Sequence, residues 1–165
     1  MSGYGQIWHY GVEDSPSAAD QQALESFVKA GGSVFLTGDW GGNLSFDNLA
    51  DQGVINAFVP TGPVSIPGDA DPSKDLAVNS TVIDNAAHTP DILTVFTGSY
   101  VGGLTGVPSA NVFISDTNGD AAGALWESLG SGHGRLAVIM DINGHRQTTR
   151  MQRRCQRLPR IWRTS

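Results

Sequence analysis

The sequence predicts an α/β fold in three layers, a mostly parallel sheet flanked by helices. Three observations lead there. A strand-like run, a helical pattern and a second strand-like run follow one another within the first forty residues. The second of those runs, Val34-Phe35-Leu36, is apolar without alternation, as a strand covered on both faces would be. The whole chain has 165 residues, the size of one domain with a respectable core.

Each element has its own local cause. Gln6-Ile7-Trp8-His9-Tyr10 is aromatic and β-branched and stops at Gly11, which reads as a strand. Ser15 is a natural N-cap, and Pro16 suits the first helical position because its missing N–H would bond nothing there. Ala19, Ala23, Leu24, Phe27 and Val28 then fall at helical spacing, with Asp20, Gln21, Gln22, Glu25 and Lys29 on the wet side. Gly31-Gly32 ends the helix, since glycine accepts the left-handed turn a C-terminal cap needs. Ser33–Thr37 follows as a strand running into Gly38-Asp39-Trp40-Gly41-Gly42. Together these make a β-α-β unit with a right-handed crossover.

Beyond it the pattern is looser. Asn43 to Phe58 reads as a helix interrupted by Gly53, and Pro60 to Asp75 as a loop rich in Pro, Gly and Asp. Ala77-Val78 is a short extended piece, and a further element begins at Thr81. Ile92–Phe96 and Asn111–Ser115 are strands separated by the glycine-rich loop Gly98–Pro108. Asn118-Gly119 is a tight-turn signal before an extended run, Ala121–Trp126. Arg135–Asp141 is the last strand. A parallel sheet of this kind has a strand before Gln6 and a helix after Asp141, so residues 1–144 read as a domain lacking its first strand and last helix.

Charge divides the chain at the same place. All 16 acidic residues lie between Glu13 and Asp141, while seven of the ten basic residues lie between Arg146 and Arg163. Residues 145–165 therefore read as a basic tail, either disordered or foreign to the domain. Such a tail is also the one feature that would bring in nucleic acid, although the acidic body competes for it. Cys155, the single cysteine, excludes an internal disulfide and a thiolate metal cluster. Nothing approaches the ~20 apolar residues of a membrane-spanning helix. Nor does Met1-Ser2-Gly3-Tyr4 open a signal peptide.

Tyr4–Trp8, the helix ending Phe27-Val28-Lys29-Ala30-Gly31-Gly32, and Val34-Phe35-Leu36-Thr37-Gly38-Asp39 together resemble bacterial class I glutamine-amidotransferase-like domains, trehalose-utilisation-like proteins among them. Gly130-Ser131-Gly132-His133-Gly134-Arg135 resembles the hairpin before a late strand in those domains. The resemblance implies a flavodoxin-like sheet. It also implies a catalytic cysteine at the turn after Val34–Thr37, with a downstream His and Glu. Asp39 stands in that turn here, so the resemblance implies the fold without amide transfer.

The candidate chemistry centres on the strand ends, where open α/β sheets bind ligands. Gly38, Asp39, Trp40 and Asp141 are the expected ligand-binding residues. Asp39, between small residues at a strand-end elbow, could attack an alkyl or acyl centre if His9 activated water. The competing reading makes Asp39 a cap that accepts backbone N–H bonds. Asp116, Asn118 and Asp120 stand at positions 1, 3 and 5 of a calcium loop with Glu127 at position 12, against an Ala121 where glycine is required. A plain Asn-Gly turn accounts for the same residues. His88 and His133 read as loop histidines, and Gly98–Gly103 has no lysine for a phosphate loop. Three functions follow: a non-catalytic ligand-binding or scaffold domain of a larger protein, without cofactor; a hydrolase built on Asp39 and His9; and a nucleic-acid binder acting through the tail.

Overall fold

A computed structural model describes residues 5–10, 15–40, 48–59, 62–67, 75–83, 95–98 and 101–141. The Arg-rich tail with Cys155, and His88, lie outside the described residues. Among the described residues, seven strands form one sheet: β1 (Gln6–Tyr10), β2 (Ser33–Thr37), β3 (Asp75–Val78), β4 (Val95–Thr97), β5 (Val112–Ser115), β6 (Ala121–Leu129) and β7 (Gly134–Ile139). The helices are α1 (Ala18–Lys29), α2 (Asn48–Asn56) and the single turn α3 (Ser80–Ile83), with a 3-10 turn at Ser109–Asn111. No described helix is long and apolar enough to cross a membrane.

The first β-α-β unit forms as expected, with β1 parallel to β2 and β2 parallel to β7. Its helix begins at a different cap. Ser17, not Ser15, is the N-cap, because only Ser17 has a carboxylate three residues on. The Ser17 hydroxyl accepts from the Asp20 N–H at 3.2 Å, and Asp20 accepts from the Ser17 N–H at 3.1 Å, a closed capping box. At the other end Gly31 takes φ +101°, and the Gly31 and Gly32 N–H groups donate to Val28 and Phe27 carbonyls, both at 2.9 Å. That is the paired Schellman closure.

The mostly parallel, helix-flanked expectation is wrong for the rest of the sheet. The strand order is β1-β2-β7-β6-β5-β3-β4, and the four pairings from β7 to β4 are antiparallel. The reason lies in the connections. β5 joins β6 through residues 116–120, and β6 joins β7 through residues 130–133. Links that short can only reverse the chain, whereas a parallel neighbour needs a crossover of about a dozen residues. The sheet is therefore mixed, and the three-layer sandwich is not formed among the described residues. Of the expected helix over residues 43–58, Asn48–Asn56 is helical, and residues 43–47 lie outside the described residues.

The core fills the α1 and α2 side of β2 and β7, while β5 and the first half of β6 are buried on both faces. Val34 and Leu36 of β2 and Leu136 and Val138 of β7 are buried with Leu24 and Val28 of α1 and Val54 and Ile55 of α2. A leucine there, cut to alanine, costs about 2–5 kcal/mol in transfer and cavity terms. The alternate residues Phe35 of β2 and Ala137 of β7, with Trp8 beside them on β1, project to the opposite face, where Trp8 remains 54% exposed.

Candidate functional site at the strand ends

Polar side chains are sparse in this core, so the buried ones locate the site. They are Thr37, Asn48, Asp51, Asp116 and Asp141. All but Asp116 gather where β2, β7 and α2 meet.

β2 ends at Thr37, and the next two residues are held by their backbones. The Gly38 N–H donates to the Ile139 carbonyl at 3.0 Å, extending the ladder with β7. Beyond the paired part of β2, Asn48, the first residue of α2, supplies hydrogen-bond partners to Asp39. Its Oδ1 accepts from the Asp39 N–H at 3.0 Å, and its Nδ2 donates to the Asp39 carbonyl at 2.8 Å. One carboxamide thus satisfies both backbone groups of one residue, which fixes Asp39 beyond the end of the ladder. Gly102 closes the other side: its N–H donates to the Met140 carbonyl at 2.7 Å, and a Cβ there would stand 2.5 Å from the Asp39 carbonyl oxygen.

The Asp39 carboxylate is half-buried and accepts from the Trp40 N–H at 2.8 Å. Burial raises its pKa above the ordinary carboxylate value; the Trp40 N–H pulls the other way, and the charge of Asp141 adds to the rise. Asp141 is itself buried at the end of β7. The expected ligand set Gly38, Asp39, Trp40 and Asp141 is therefore one cluster, with Trp40 48% exposed at its rim.

His9 has other company. Register places it beside Leu36, and its Nδ1 stands 3.8 Å from Oδ1 of Asp51 on α2. The His9 carbonyl accepts from Thr37 Oγ1 at 3.1 Å. Asp20, held below the ordinary value first by its hydrogen bonds from Ser17, also feels His9 weakly. The charge bearing on Asp39 is that of Asp141, and the carboxylate facing His9 is that of Asp51.

Asp116 is turned into its own loop. Its Oδ1 accepts from the Asn118 N–H at 2.9 Å and the Asp120 N–H at 2.8 Å, while Asn118 and Asp120 are exposed. The turn is an Asx type that stabilises the β5–β6 reversal. Glu127 lies on β6 and pairs with Arg135 at 3.1 Å, away from that loop. Among the described residues, no group of three or more His, Cys, Asp and Glu side chains is placed to hold a metal. His133 sits in the β6–β7 turn at φ +57°.

Sequence reasoning passed over the polar face of α2. Asn48, Gln52 and Asn56 recur every fourth residue, and all three clamp backbone. Asn56 exchanges two hydrogen bonds with Val64, at 2.9 and 2.8 Å, and Gln52 Oε1 accepts from the Ile66 N–H at 3.0 Å. A row of carboxamides at helical spacing inside an apolar pattern was the available signal.

Comparison with known proteins places the fold and goes no further. No family model matches, and no curated protein matches. Among solved structures, the mmIFT52 N-terminal domain superposes with a TM-score of 0.63 at 20% identity, over 85% of this chain and 67% of that one. The exo-β-1,4-mannosidase Op5Man5 from Opitutaceae bacterium strain TAV5 superposes with a TM-score of 0.52 at 12% identity, over 94% of this chain and 23% of that one. Neither neighbour is a glutamine-amidotransferase-like domain, which overturns the expected resemblance and with it the idea of a lost cysteine site. The resemblance rested on a β-α-β unit and a hairpin, and local pieces of that kind are common to many folds. The strands between them pair antiparallel, which the quoted motifs do not address.

Proposed function

We propose that this chain is a non-catalytic binding module, a ligand-binding or scaffold domain. The observation that carries the reading is the company kept by the two residues a hydrolase would need together: His9 Nδ1 stands 3.8 Å from Asp51, and the charge bearing on Asp39 is that of Asp141. An aspartate nucleophile requires a histidine-activated water within hydrogen-bond reach of its ester. The carboxylate nearest to His9 Nδ1 among the described residues is that of Asp51, and Asp39 shares its surroundings with a second carboxylate. A like charge beside Asp39 strengthens its hold on a proton or on a ligand's hydrogen-bond donor, and a protonated carboxyl is a poor nucleophile. The Asn48 clamp and the Gly102 contact make the turn rigid, which suits presentation of Asp39, Trp40 and Asp141 to a donor-bearing ligand.

The test is a hydrolysis panel of aryl esters, anilides and alkyl halides at neutral pH, run on the chain and on Asp39→Asn. The reading expects both proteins to match buffer. Turnover by the chain that Asp39→Asn abolishes would replace it with the hydrolase.

A further inference from the structure

His9 and Asp51 face each other between the edge strand β1 and α2. Asp51 is 1% exposed, while the His9 side chain keeps 24% of its surface in water. The Nδ1 atom of His9 is itself buried and makes no hydrogen bond. Its distance to Asp51 Oδ1, 3.8 Å, is too long for a hydrogen bond and too short to seat a water between the two in good geometry. The pair therefore closes directly, and a shift of about 0.8 Å brings it to the usual hydrogen-bond length. Asp51 follows Asn48 by one turn of α2, so the helix that clamps Asp39 is also the helix that faces His9.

We propose that His9 and Asp51 form a proton-operated latch, which fastens β1 to α2 when the imidazole is charged. Neutral imidazole carries one N–H, and either nitrogen can hold it, so nothing obliges Nδ1 to donate. Imidazolium carries an N–H on both nitrogens. Protonation thus guarantees a donor opposite Asp51 Oδ1 and adds a full charge, and charge-assisted hydrogen bonds are about twice as strong as neutral ones. Burial sharpens the effect, because attraction between opposite charges grows as water is excluded. The exposed part of the ring lets a proton arrive without unfolding. Among the described residues, the ionisable groups set against His9 agree in sign. α2 presents Asp51, and α1 presents Asp20, whose carboxylate feels the His9 charge. β2 presents the neutral Thr37 hydroxyl, which donates to the His9 carbonyl. The attraction exists in the folded chain and is absent from the unfolded one. The latch therefore adds stability where imidazole is protonated, below about pH 6.5, and that stability is lost as pH rises.

The experiment is a double-mutant cycle on the full chain, with His9→Gln, Asp51→Asn and the two combined. Urea unfolding is read at about pH 5.5 and about pH 8, on either side of the ordinary imidazole value and above the ordinary carboxylate one. Contributions from Asp39 and from the other histidines are common to all four proteins and cancel in the cycle. The expected coupling changes the folding equilibrium constant at least about fivefold at the lower pH, as residues in contact do, and at least about threefold less at the higher one. A coupling under about fivefold at the lower pH overturns the proposal, and so does a smaller drop between the two, which would mark a contact of packing alone. If Asp51→Asn does not fold, His9→Gln against the parent decides. Its loss in the folding constant must shrink at least about threefold from the lower pH to the higher, and any smaller change overturns the latch.

Discussion

Replacing Asn48 by alanine tests the clamp that positions the strand-end site. The substitution removes two hydrogen bonds, 3.0 and 2.8 Å long, and strands the Asp39 N–H and carbonyl at a part-buried position. A net hydrogen bond contributes about 1 kcal/mol, and leaving a buried polar group unsatisfied costs about 1–3 kcal/mol. Asp39 is only half-buried, so water recovers part of that cost. The expected loss is about 2–3 kcal/mol, a large share of the ~5–15 kcal/mol that holds a domain together. For a domain of this size that lowers Tm by roughly 5–10 °C. Asn48→Asp is the sharper variant. It keeps one acceptor, loses the donor, and sets a third carboxylate beside Asp39 and Asp141, so its defect should exceed that of alanine at pH 7 and shrink towards pH 4. Urea unfolding followed by tryptophan fluorescence reads both. A loss under about 0.5 kcal/mol for Asn48→Ala, the size of an ordinary surface change, would refute the clamp.

Two further outcomes follow from the same geometry. Because the Asp39 pKa is raised in the folded state, ionising it disfavours folding as pH climbs from the ordinary carboxylate value through the folded one. Asp39→Asn, which retains an oxygen for the Trp40 N–H, should therefore be more stable than the parent at pH 7 and equal to it near pH 3 in thermal melts. At the start of α1, Ser17→Ala opens the capping box and should cost about 1 kcal/mol in urea unfolding, whereas Ser15→Ala should cost almost nothing.

The first forty residues were legible because their signals are local: alternating periods, a cap, two glycines and a continuous apolar strand. The error about Ser15 had the same local character, since the carboxylate at Asp20 already favoured Ser17. The sheet's second half was harder. The turn at Asn118-Gly119 was recognised, yet a tight turn also dictates an antiparallel neighbour, and that consequence decides the fold. Strand order is a matter of long-range pairing, and nothing in the short run Asp75–Val78 says that it sits between β5 and β4. At the site, Asp39 and Asp141 were placed by the rule that strand ends converge. Asn48 and Asp51 were missed because each looks like an ordinary polar helix residue until its burial is known. His9 could be assigned to a strand end, but which face it takes depends on register, and register gave it to Asp51.

The most direct test of a non-catalytic Asp39 is isotopic. An aspartyl ester hydrolysed by water gains an oxygen from solvent in its own carboxylate. Incubating the chain at high concentration with the ester and alkyl-halide panel in H₂¹⁸O, then digesting it and weighing the peptide that contains Asp39, reads that oxygen. The account predicts an unshifted mass; a shift of about two daltons on Asp39 that depends on substrate would contradict it.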